Sequence, residues 1–202
     1  MIAKVVAFIT RESARGSELL LLAHPYAGNQ LPSGTVEENE DPRAAVLREV
    51  AEETGLTRVR IEKQIGILDE PLPERMLIVA RATRVYARPD ATSFDWAEFR
   101  RGIWVTRERE RDGWTQITYA EPDEFPNARY TTYHITGWVS SDALTAQQRR
   151  YLFHLALAGE TPDVWTQISD HHTFRLFWSP LAALPPIVPP QNRWVEFALS
   201  AL

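Results

Sequence analysis

Three carboxylates and a guanidinium crowd one short stretch of the chain: Arg48, Glu49, Glu52 and Glu53, between Asp41-Pro42 and Gly55. Asp is a favoured N-cap, and Pro is tolerated at the first helical position because its missing N–H has no partner to lose. Gly55 can take the left-handed conformation that stops a helix. The segment therefore predicts a single helix. At about 100° per residue, the three glutamates share an arc of about 100°. That arc is expected opposite an inward stripe of Leu47, Val50, Ala51 and Thr54, with Ala44 one turn earlier. Acids so placed repel one another, and no alternating lysines relieve them. The bland alternative is a solvated face. A hard divalent cation relieves such a cluster best, and oxygen-only ligands point to Mg2+ or Mn2+.

The spacing extends beyond the helix. Gly34, five residues, Glu40, seven residues, then Arg48-Glu49-Val50-x-Glu52-Glu53-x-Gly55-Leu56 is a full match to the Nudix box over residues 34–56. On these residues the chain resembles the Nudix hydrolases. The resemblance implies an α/β (α+β) fold, a mixed β-sheet sandwiched between helices. It also implies hydrolysis of a diphosphate linkage in a nucleoside diphosphate derivative, with ADP-ribose or a nucleotide sugar or alcohol favoured. The implied metal ligands are the Gly34 carbonyl, Glu49, Glu52 and Glu53. The implied catalytic set is Glu49, Arg48 and Glu53. Glu49 is a third ligand or the base that takes the water's proton; Arg48 fixes a carboxylate's rotamer; Glu40 organises the loop. Family members often dimerise, so a homodimer stays open.

A rival reading is a non-catalytic Nudix-fold module that binds a nucleotide for regulation, because a fold does not fix a function. Retention of every box carboxylate favours the enzyme, and the sequence shows no helix pair with a basic face.

Composition narrows the field. With 202 residues and 44% hydrophobic content the chain can bury one good core, so a single domain over 1–202 is expected. There is no cysteine, which excludes disulfides and thiolate zinc sites. A net charge of −5 argues against a nucleic-acid polymer as partner, whereas a small phosphorylated ligand bound through metal ions is compatible. The N-terminal MIAKVVAFITRE is too short to span a membrane and is broken by Lys4 and Arg11. It reads as a strand of a cytoplasmic protein without membrane attachment.

The elements that must position the acids follow from periodicity. Residues 3–10 and 18–24 read as an antiparallel hairpin, and 25–30 as a loop entering the box. Asn39 suits a left-handed turn, whereas Ser33 stands where relatives often carry Gly. Strands are expected over 58–68, 74–86 and 129–139, with a hairpin of 102–108 and 114–120 turning at Asp112-Gly113. Residues 88–101 suggest a loop with a short helix around 94–99. Residues 145–158 read as helix or strand. Residues 173–184 resemble a late Nudix strand and turn, which makes about 88–148 an inserted β-rich excursion or lid. Four prolines in 183–190 form a stiff connector, and about 192–202 a terminal helix with Trp194, Phe197, Ala198 and Ala201 inward.

Other residues invite chemistry less strongly. Glu98, Glu108, Glu121, Glu124 and Asp170 are candidates for a further acid, each more simply a surface carboxylate. His171 and His172 are adjacent in a β-prone run and point to opposite faces. His24, His134 and His154 default to structural roles. Aromatics of the excursion can stack on a base, and Arg101 and Arg129 can meet a distal phosphate.

Overall fold

The computed structural model describes residues 1–25, 27–123, 129–169 and 172–200. In chain order it begins with β1 (Ile2–Ser13), β2 (Gly16–His24), β3 (Gly28–Gln30), β4 (Ser33–Thr35), helix α1 (Pro42–Thr54) and β5 (Val59–Pro71). Next come β6 (Met76–Val79), β7 (Thr83–Tyr86), β8 (Asp95–Phe99), β9 (Trp104–Arg111), β10 (Trp114–Pro122), β11 (Thr131–Ser140) and β12 (Leu144–Thr145). The chain closes with β13 (Gln147–Leu157), β14 (Val164–Ser169), β15 (His172–Pro180) and helix α2 (Gln191–Leu199). It divides into two compact units, Ala3–Leu68 with Arg150–Leu202, and Met1–Ile2 with Asp69–Arg149.

The first unit is a sheet with a helix on each face. Its strands run β14-β15-β2-β1-β13-β5, with β3 paired to β2 and β4 to β1. Alternation along β1 sorts the core. Val5, Ala7 and Ile9 pack with Leu20, Leu22, Phe153 and Leu176 under Ala45, Val46 and Val50 of α1. Val6 and Phe8 pack with Leu19, Leu21 and Leu152 under Trp194, Val195 and Ala198 of α2. The mixed α and β architecture expected from the sequence is thus present. The expected loop over 25–30 instead contains β3, which pairs its Gly28–Gln30 backbone with His24–Leu22. In α2, Trp194 and Ala198 are buried as expected, while Phe197 stays half exposed with its ring over Gly66. Ala201 lies outside the described residues.

The second unit is a seven-stranded sheet, β12-β6-β9-β10-β11-β7-β8, packed around Val79, Val85, Phe99, Val105, Ile117 and Val139. The hairpin of β9 and β10 turns at Asp112-Gly113, with φ of 49° and 80°; both values suit the tight turn that Asp-Gly favours. Two readings change and one open reading is decided. Residues 74–86 are not one strand but two: the chain leaves β6, paired to β9 and β12, and enters β7, paired to β8 and β11. The short helix around 94–99 is strand β8, because pairing to β7 buries Phe99 and half-buries Ala97 while Trp96 and Glu98 face away. The stretch 145–158, open between helix and strand, is largely β13. Among the described residues no helix is long and apolar enough to cross a membrane.

Candidate active site

Helix α1 begins where the sequence says it should. Asp41 is the N-cap and its carboxylate accepts from the Arg43 N–H at 2.8 Å; Pro42 follows. Gly55 ends it at φ 74°, returning its N–H to the Ala51 carbonyl. Asn39 adopts φ 62°, the left-handed turn expected of it, and Ser33 is an ordinary strand residue of β4. Carbonyls of the last turn also receive side chains from β14. Trp165 Nε1 donates to Thr54 O at 2.8 Å and Gln167 Nε2 to Glu52 O at 3.2 Å.

The helix is rotated from the expected phase. Ala45, Val46, Val50 and Thr54 are its buried residues, whereas Leu47 is 39% exposed and Ala44 faces solvent. Glu49 and Glu53 therefore sit on the inward side beside Val46 and Val50, not opposite it. Two contacts hold this phase. The Ser33 N–H donates to Glu53 Oε2 at 2.8 Å. The Glu49 carboxylate lies directly over Gly34, where a Cβ would come within 1.9 Å of its Cδ. Gly34 is thus a cradle that only the absence of a side chain keeps open.

Arg48 ties the cluster together. Its Nε and Nη2 each donate to Glu40 at 2.9 Å, Nη1 donates to Glu49 at 3.0 Å and to Glu52 at 3.1 Å, and Nη2 also reaches Thr35 O at 3.0 Å. The planar fork is what permits so many simultaneous contacts. Hydrogen bonding to Arg48 holds the Glu40 carboxyl below the usual carboxylate range, and the Glu37 N–H adds to it. The Arg48 guanidinium is in turn shifted upward, chiefly by its bond to Glu40. Glu49 moves the other way. Burial raises its pKa, outweighing Arg48 and the Thr35 N–H that favour its charged form.

The structure thus gathers Gly34, Glu40, Arg48, Glu49, Glu52 and Glu53 at one end of the first sheet. Among the described residues no three His, Asp or Glu side chains converge closely enough to hold a metal ion, since Glu49 and Glu52 share Arg48 and Glu53 takes a backbone amide. Three of the outlying acids are not in this unit. Glu98, Glu108 and Glu121 belong to the second, Glu108 bonded to Arg75 and Glu121 to Tyr119. There, Arg129 pairs with Asp123 and Arg101 donates to Ala80 O. Glu124, Asp170 and His171 lie outside the described residues. The backbone amides of Ser33 and Thr35, and the side chains of Trp165 and Gln167, carried no sequence signal, because their roles come from chain pairing.

Helix α1 thus seats its acids on Gly34 of β4, over a sheet with helix α2 on the opposite face. The NUDIX domain family model matches residues 2–134, and the chain belongs to the Nudix family. Among solved structures it is similar to the NUDIX domain of Shewanella oneidensis NrtR, described as a complex with ADP ribose. The two share 15% identity at a TM-score of 0.50, over 100% of this chain and 88% of that one, a likeness of fold alone. No curated protein matches the chain.

Proposed function

We propose that this protein is a divalent-metal-dependent hydrolase that cleaves the diphosphate linkage of a nucleoside diphosphate derivative, of the ADP-ribose or nucleotide-sugar or alcohol type. The observation that carries this is the retained acid set of α1 with Glu49 seated on Gly34. The all-oxygen donors Glu49, Glu52, Glu53 and the Gly34 carbonyl fit a hard cation such as Mg2+ or Mn2+ by chemistry. The space over Gly34 is taken by the Glu49 carboxylate. When bound, the ion supplies positive charge that neutralises phosphate oxygens and acidifies water. Glu49, made more basic by burial, is either the third ligand or the base that accepts a proton from the attacking water. Arg48 and the Thr35 amide hold its carboxylate in place, and the Ser33 amide orients Glu53. ADP-ribose, the ligand of the NrtR domain, is the first substrate to try.

On this reading the chain is one Nudix domain with residues of about 88–148 an insertion or lid in it, and the partner is a small nucleotide in the cytoplasm; a homodimer is compatible. The test is hydrolysis of a panel of dinucleotides, nucleotide sugars and triphosphates with and without Mg2+. Changing Glu52 and Glu53 together to Gln is expected to abolish Mg2+-dependent turnover while leaving the fold intact; unchanged turnover removes this site. The engagement of Glu49 and Glu52 by Arg48 favours a second reading, a nucleotide-binding regulatory module. Tight nucleotide binding with no turnover across the panel would select it.

A further inference from the structure

The seven-stranded sheet of the second unit has a face that its own core does not use. Leu77, Val79, Val105 and Ile117 point into that core, with Tyr119 packed against them. Alternation sends Met76, Trp104, Thr106, Thr118 and Ala120 to the opposite face. Pairing sets these five in two rows. Met76, Thr106 and Thr118 are register partners across β6, β9 and β10. Trp104 and Ala120 form the second row, each two residues from the threonine of its own strand. Between the rows lies a cavity of about 350 Å³, floored by Val105 and Tyr119.

The dimensions and chemistry of this slot select its occupant. Two residues along a strand span about 6.7 Å, close to twice the contact distance of about 3.5 Å between stacked carbons. A flat ring fits that gap face-on to the indole, whereas a puckered saturated ring is too thick. Trp104 is 38% exposed. Other tryptophans of this sheet are covered: Arg109 lies 5.2 Å over Trp138, and Tyr86 packs its edge on Trp114 at 5.3 Å. Among the described residues no ring or guanidinium stacks on Trp104. Ala120, in the same row, leaves room beside the indole that a larger side chain would fill. The opposite wall is polar. The Thr106 hydroxyl donates to Met76 Sδ at 3.6 Å, a weak acceptor that a ring nitrogen would displace. Thr118 Oγ1 shares a hydrogen bond with Thr136 Oγ1 at 2.9 Å and keeps a lone pair to accept from a ring N–H. No charged side chain lines the cavity, and its volume is at the small end of ligand sites. It suits an uncharged ligand of nucleobase or nucleoside size.

We propose that the second unit binds a neutral planar heterocycle, a nucleobase or nucleoside, stacked on Trp104 and read by the hydroxyls of Thr106 and Thr118. Every residue of this site belongs to the second unit. The site goes beyond the hydrolase reading and stands whether or not that reading does.

The experiment titrates adenosine into the full chain by calorimetry. Saturable one-to-one binding is expected, with AMP no tighter than adenosine and methyl riboside, which lacks the base, not bound. Trp104→Leu is expected to weaken adenosine binding about tenfold or more, the scale of one base stacked on an aromatic ring. Trp104→Phe is expected to recover most of that loss, and Ala120→Leu to block binding by filling the slot. Circular dichroism checks that each variant is folded. The Glu52→Gln, Glu53→Gln double variant is expected to bind adenosine as the native chain does; loss of binding there assigns adenosine to the acid cluster and overturns the site. Absence of saturable binding to the native chain also overturns it, as does native affinity in both Trp104→Leu and Ala120→Leu. Methyl riboside binding as well as adenosine, or AMP binding more than tenfold tighter, overturns the choice of a neutral flat ring. A native dimer that Ala120→Leu splits, with no adenosine bound, shows a second copy filling the slot and overturns the proposal.

Discussion

Gly34→Ala isolates the contact on which the site depends. The new methyl group would stand 1.9 Å from Glu49 Cδ and 2.1 and 2.2 Å from its two oxygens. Carbon contacts are comfortable at about 3.5–4.0 Å, so the carboxylate must withdraw by about 1.5 Å or more. The Gly34 carbonyl survives the change, and Gly34 is not among the residues with positive φ, so no backbone strain is introduced. Misplacing a reacting group by about 1 Å can cost about a hundredfold, so kcat is expected to fall at least that far. Stability is expected to move little, because the lost Arg48–Glu49 bond is offset by hydration of a carboxylate that burial disfavours. The assay is steady-state hydrolysis with Mg2+, paired with thermal denaturation. A double-mutant cycle with Glu49→Ala then asks whether the alanine acts only through Glu49. If it does, Gly34→Ala costs nothing further once Glu49 is gone. Full kcat in the single variant, or an equal loss in both backgrounds, would refute the argument.

Other outcomes follow from the same cluster. Because the folded-state pKa of Glu49 is raised, ionising it costs the native state. That cost is absent below the ordinary carboxylate pKa and grows as pH rises through the raised value. Glu49→Gln is therefore expected to raise the melting temperature at pH 8 relative to native protein, with the gain vanishing near pH 4, while activity is lost. Arg48→Lys keeps the charge but not the fork over Glu40, so chemical denaturation is expected to show a loss of about 2 kcal/mol, the scale of a hydrogen bond to a charged group.

The parts of the site that were legible in the sequence are those set by local chemistry. Asp41, Pro42 and Gly55 bound the helix, Asn39 turns the loop, and the box spacing selects the acids. The helix phase was not legible. Leu47 and Ala44 suggested a stripe, yet Gly34 and Ser33, distant in sequence, dock Glu49 and Glu53 and turn those apolar residues to solvent. Strand partners were equally hidden: nothing local in residues 80–82 reveals that the chain there changes neighbours from β9 to β8. The ring contact of His24 with His172 is likewise a product of two strands, β2 and β15, that meet only in the folded sheet.

Arg48 carries a consequence for the protein's life in a cell. An internal guanidinium already bonds Glu40, Glu49 and Glu52 and offsets part of their mutual repulsion, so the cluster is held together by the chain's own residues. If the proposed hydrolase reading holds, loss of the ion would silence the molecule while leaving its fold in place, and resupply would restore output without new synthesis.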